Sequence, residues 1–155
     1  MLPIILITLL GAFYIFAGLV AARIGLTTRL LDAAIASISL EKAKPVDVAR
    51  LRWNLTIATM TFVSGALLIL RLDLAVLAFF ACAALQALYL FVVAPRRLDP
   101  PDPPDAGGRR QSVNAFTVYC VATALVVWAW SAGQLMPILE APWPAFAAAV
   151  AAIAA

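Results

Sequence analysis

The chain has 155 residues, 65% of them hydrophobic and 12% charged, with a net charge of +3 and a mean hydropathy of +1.02. A soluble domain of this length cannot bury so much apolar surface, because surface-to-volume scaling leaves too much of a small body exposed, so the excess faces lipid. With no histidine and only two cysteines, the chain lacks the usual donor sets for zinc, haem or non-haem iron and any Ser-His-Asp or Cys-His nucleophile.

Four apolar stretches follow in order: Leu2 to Ala22, Trp53 to Leu70, Leu74 to Ala94 and Val113 to Leu135. Each is near the ~20 residues that cross ~30 Å of hydrocarbon as a helix. Helices satisfy their own backbone in lipid, and the stretches lack the polar–apolar alternation of barrel strands. The expected fold is all-α, an integral membrane four-helix bundle over residues 1–135 with an apolar outer tail over 136–155. The first stretch has no Lys or Arg ahead of it and its first charge is Arg23. It therefore reads as a span and not as a cleaved leader.

Between the first two spans, Leu30, Leu31, Ala34, Ile35 and Ile38 share one helical face. This predicts a short interfacial amphipathic helix, capped by Thr28. Pro45 then suits the first position of the next helix, with Asp47 in its first turn. Cys82 and Cys120 fall at different depths in the third and fourth spans and read as small packing residues without a disulfide. Residues 95–112 contain Pro-Pro-Asp-Pro-Pro, which predicts a solvated extended linker. Pro137, Pro142 and Pro144 break any continuation of the fourth span.

Ten of the eleven Lys and Arg residues lie in residues 23–52 and 95–112; only Arg71, beside Asp73, lies elsewhere. The positive-inside rule places both basic segments in the cytoplasm and both termini outside, as in a multi-pass protein of a bacterial inner membrane. The basic residues flank the membrane, so nucleic acid is not an expected partner. The lipid bilayer is.

Polar groups inside spans are costly and mark functional candidates. Arg50, Asn54, Thr61 and Ser64 fall on roughly one face of the second span; Cys82, Gln86 and Tyr89 are spaced by one turn in the third. Asn114 and Thr117 lie in the fourth. Arg50, Asn54, Gln86, Tyr89 and Asn114 share the cytoplasmic half, where a polar pocket is expected, with Arg50 and Arg97 supplying charge for an anionic ligand. Each group taken alone reads more simply as a hydrogen bond between helices, worth about 0.5–2 kcal/mol. No carboxylate lies well inside a span, which argues against proton-coupled transport.

Val48-Ala-Arg50-Leu-Arg-Trp-Asn54 and Gln86-Ala-Leu-Tyr89, set in this four-span layout, resemble the MAPEG family, membrane-associated proteins in eicosanoid and glutathione metabolism. The first stretch is similar to the family's Arg-x-x-x-Asn. The second is similar to its Arg-x-x-Tyr, with Gln86 replacing the Arg. The resemblance implies a homotrimer with glutathione as the possible bound cofactor, held between subunits near the cytoplasmic side by Arg50, Asn54 and Tyr89. The family's acidic residue three positions after the Asn is Ile57 here, and its second span-three Tyr falls at Val93. Arg97 is the candidate for its thiol-activating Arg.

The ligand-binding set read from the sequence is therefore Arg50, Asn54, Gln86, Tyr89 and Arg97, for glutathione or a lipophilic anion. No catalytic residue is assigned. The alternative is a non-catalytic accessory subunit packing small-residue faces against a larger membrane complex. Gly18-x-x-x-Ala22, Ala83-x-x-x-Ala87 and Ala129-x-x-x-Gly133 have the spacing for it.

Overall fold

The computed structural model describes residues 2–39, 45–98 and 106–137. They form α1 (Leu2–Ser39), α2 (Pro45–Ile69), α3 (Leu74–Leu88) and α4 (Ala106–Ser131), and α3 is prolonged by a π-helical run over Tyr89–Leu98. No strand occurs among the described residues. Consecutive helices pack side by side and α1 touches α4, so the all-α four-helix bundle holds. Pro3–Ile38, Leu74–Arg96 and Arg110–Ser131 are long and apolar enough to cross a membrane, as expected of a multi-pass protein in contact with lipid.

The remaining helix, α2, carries no continuous stretch of that length and apolarity, and it is held by packing and by internal satisfaction of its polar groups. Thr56, Thr59, Thr61 and Ser64 each donate a side-chain hydrogen bond to a carbonyl one turn back, at 2.7–2.9 Å. A hydroxyl spent inside its own helix no longer needs water. α1 and α2 meet along a seam where Gly11 and Gly18 face Gly65 and Ala58, while Gly25 faces the side chains of Leu55 and Leu51. A Cβ on Gly18 would lie 2.7 Å from Phe62 N and 2.9 Å from the Ala58 carbonyl oxygen; one on Gly65 would lie 2.7 Å from both Gly11 O and Ile15 N. Such backbone approach is how helices gain dispersion where lipid removes the hydrophobic drive. Gly18 is thus used within the chain, and Ala129 is fully buried in its core, which removes both from the small-residue faces expected to meet another complex.

Two local expectations are corrected. The segment after Arg23 is helical, but it is no separate interfacial helix: α1 runs unbroken for 38 residues. Thr28 does not cap it, since its hydroxyl donates to the Ile24 carbonyl at 3.0 Å. The expected linker over 95–112 is also shorter. The helix after α3 continues through Pro95 to Leu98 and α4 begins at Ala106. Proline has no N–H and its ring clashes with the carbonyl four residues back, so a wider π winding suits the run that contains it. Residues 99–105 and the tail beyond Pro137 lie outside the described residues, as do the predicted breaks at Pro142 and Pro144.

At the opposite end, α2 and α4 stop in the same way. Arg71 N–H bonds Leu68 O and Leu72 N–H bonds Leu67 O, at 3.0 and 3.1 Å; Gly133 N–H bonds Trp130 O and Gln134 N–H bonds Ala129 O, both at 3.0 Å. Each is a Schellman end with its left-handed residue at φ 57 for Arg71 and 66 for Gly133. α4 thus ends at Ser131, well before Pro137. The two ends are then joined. Asp73 N–H bonds Met136 O at 2.9 Å, Met136 N–H bonds Arg71 O at 2.6 Å, and Leu72 pairs with Met136.

Candidate functional site

The centre of the bundle is aromatic. Tyr14 from α1, Phe79 from α3 and Tyr119 from α4 are all buried, with ring centroids 5.1–5.4 Å apart; Tyr14 meets the other two edge-on and Phe79 stacks on Tyr119. Edge-to-face geometry sets the positive ring edge on the negative face. α2 supplies Ser64, fully buried, whose Oγ accepts from the Tyr119 hydroxyl at 3.4 Å while donating to Met60 O. Sequence reasoning passed over Tyr14 and Tyr119. Their signal was a phenol inside an apolar span, which needs a partner.

Next to this core lies the first polar cluster. Cys82 is fully buried and unpaired in any disulfide. Its Sγ lies 3.5 Å from Thr61 Oγ1 and accepts a 3.4 Å hydrogen bond from Gln86 Nε2. Thr61, Cys82 and Gln86 are therefore brought together. Cys120 is free and exposed, so the absence of a disulfide between the two was read correctly.

The second cluster lies one turn nearer the Arg-rich end. Tyr89, half-buried, opens the π-helical run, and its ring lies 5.9 Å from that of Trp53 at a tilt of 34°. Arg50 is half-buried one turn before Trp53 on α2. Asn54 is exposed, unlike Thr61 and Ser64, so it does not share their buried face. The residue of α2 that meets Tyr89 is Trp53. Arg97 lies in the π-helical run, with its side chain outside the described residues. Asn114 on α4 is exposed, and Thr117 spends its hydroxyl on Val113 O at 2.9 Å.

Chemically, the second cluster offers a guanidinium, a phenol and an indole at one end of the bundle, with an amide on the outward side of α2. A π-helical run is uncommon and often accompanies a functional site. Among the described residues no group of His, Cys, Asp and Glu is arranged to hold a metal. Comparison with family models, curated proteins and solved structures finds no match to this chain.

Proposed function

We propose that this chain is a MAPEG-like protein of a bacterial inner membrane, with its Arg-rich end in the cytoplasm, that binds an amphiphilic anion at that end. The ligand class is glutathione or a lipophilic thiol conjugate. Arg50 and Arg97 supply the charge, Tyr89, Asn54 and Gln86 the hydrogen bonds, and Trp53 an apolar wall. The observation that carries the reading is the Trp53–Tyr89 contact at the start of the π-helical run, with Arg50 one turn away on α2. An aromatic wall beside a guanidinium suits a ligand with one apolar and one anionic part. The exposure of Asn54 fits a site whose outward side is closed by something beyond this one chain.

Thermal unfolding of the purified protein with glutathione, S-hexylglutathione or a fatty acid tests this. A midpoint rise with one of these, lost in Arg50→Ala and Trp53→Ala, is expected, since a ligand that binds only the folded state stabilises it by mass action. No rise with any of the three overturns it.

A further inference from the structure

We infer that the surface where the π-helical run meets α4 is a binding site for an anionic phospholipid, whose phosphate is held by Arg96 and Arg110. The floor of the site is aromatic. Phe91 and Phe116 meet edge to face, with ring centroids 5.8 Å apart at an interplanar angle of 80°, and Phe91 is 54% exposed. Tyr89, nearly half a turn earlier, meets Trp53 on α2, so the Phe91–Phe116 pair lies on a different side of the run from the cluster around Arg50. Charge lies just beyond the rings. Arg96 follows Phe91 by one turn of the π winding, whose bonds close five residues on. Arg110 precedes Phe116 on α4 by about 9 Å at 1.5 Å per residue. Both arginines are exposed. Among the described residues neither guanidinium has a hydrogen bond or an ion pair.

Their place along the helices makes the bilayer the source of the anion. The two apolar segments that carry the site, Leu74–Arg96 and Arg110–Ser131, end and begin at these arginines. The guanidiniums therefore stand where hydrocarbon gives way to headgroups, and the phenyl rings stand just inside it. A phospholipid fits both at once. Its phosphate oxygens accept charge-assisted hydrogen bonds from the guanidinium N–H groups, and its first acyl carbons lie on the exposed Phe91 ring. A free phosphate has nothing to set on that ring.

The charge balance selects the headgroup. From Leu74 to Leu98 and from Ala106 to Ser131 there is no Asp or Glu, so no carboxylate on these helices offsets the two cations. A zwitterionic headgroup brings its own ammonium toward them, whereas phosphatidylglycerol brings only negative charge. Each basic residue near an anionic membrane surface adds its own increment of binding. Asp99, Asp102 and Asp105, in the connecting segment outside the described residues, are the chain's own competitors for the arginines.

Native mass spectrometry of the full-length protein in detergent tests this, with dioleoyl phosphatidylglycerol and dioleoyl phosphatidylcholine as probes. The wild type should bind phosphatidylglycerol at least about tenfold more tightly than phosphatidylcholine, and Arg96→Gln with Arg110→Gln should bring that ratio to about one. Phe91→Ala should weaken both lipids alike. Arg29→Gln is the control and should keep the ratio, because Arg29 is exposed on α1 one turn past Gly25, at the same end of the bundle but on a different helix from the aromatic pair. Helix content by circular dichroism should be unchanged in every variant. Equal binding of the two lipids by the wild type overturns the inference. So does a loss in Arg29→Gln as large as in the Arg96, Arg110 variant, or displacement of the lipid by millimolar inorganic phosphate. A preference that emerges only after Asp99→Asn, Asp102→Asn and Asp105→Asn overturns it too, since the connecting segment then holds the arginines itself.

Discussion

Arg71 grips the carbonyl oxygen of Gln134 with two nitrogens, Nε at 3.1 Å and Nη2 at 2.9 Å. It does so from a left-handed backbone, φ 57, at a helix end where glycine is the usual residue. A side chain on a left-handed backbone costs about 1 kcal/mol relative to glycine, so Arg71 is there for a reason that glycine could not supply. That reason is the junction of the α2–α3 turn with the segment after α4.

This separates two terms by mutation. Arg71→Ala loses the hydrogen bonds and keeps the backbone strain, whereas Arg71→Gly loses the bonds and relieves the strain. Both should destabilise, with Arg71→Gly more stable than Arg71→Ala by about 1 kcal/mol. Amide hydrogen exchange should rise at Asp73 and Met136, whose N–H groups tie the two segments together.

The α1–α2 seam predicts an order among glycines. Gly18→Ala and Gly65→Ala press a methyl against backbone atoms 2.7 Å away, and each should cost about 1–3 kcal/mol through overpacking. Gly25→Ala meets only leucine side-chain carbons at 3.4 Å and beyond and should be within about 0.5 kcal/mol of wild type. Thermal unfolding in one detergent checks the ranking. Equal effects at all three positions would show that the helices do not approach as described.

The Tyr119–Ser64 contact should be weak and the ring beneath it strong. Tyr119→Phe removes one hydrogen bond at 3.4 Å, and Ser64 keeps its bond to Met60 O, so the loss is about 0.6 kcal/mol. Tyr119→Ala empties the centre of the aromatic cluster and should cost about 3–5 kcal/mol. Denaturant-induced unfolding of the two variants in mixed micelles measures the difference.

Little glutathione transferase or peroxidase turnover is expected even if glutathione binds. Lowering a thiol's pKa needs a cation or a hydrogen-bond donor held at the sulfur. The position where the resembled family carries Arg is Gln86, a neutral amide already engaged with Cys82. With a generic electrophile, wild type and Arg50→Ala should give the same rate. Turnover that Arg50→Ala or Tyr89→Phe abolishes would establish a working enzyme.

For topology, Ala141→Cys should react with an impermeant maleimide in intact cells, and Gly107→Cys only after permeabilisation, each in a background without Cys82 and Cys120. The argument is the clustering of ten basic residues in two of the connecting segments. Outside labelling at Gly107→Cys would invert the proposed orientation.

Hydropathy and charge, read along the chain, determined the class, the four helices and the end of the bundle that is basic. These are one-dimensional properties, because a helix in lipid closes its own hydrogen bonds and needs no distant partner to exist. The depth of Cys82, Gln86 and Tyr89 was legible for the same reason: rise per residue converts sequence position into height. Which side of a helix meets which neighbour was not legible. Asn54 and Trp53 are adjacent in sequence and equal in depth, yet Trp53 meets Tyr89 and Asn54 faces outward. That choice depends on the rotation of α2, set by the close approach of Gly11 and Gly18 to Gly65 and Ala58. Likewise, the sequence set Arg71 only beside Asp73, whereas the segment after α4 supplies its carbonyl partner 63 residues away. Contacts of that range are made by packing, and only the tertiary structure decides them.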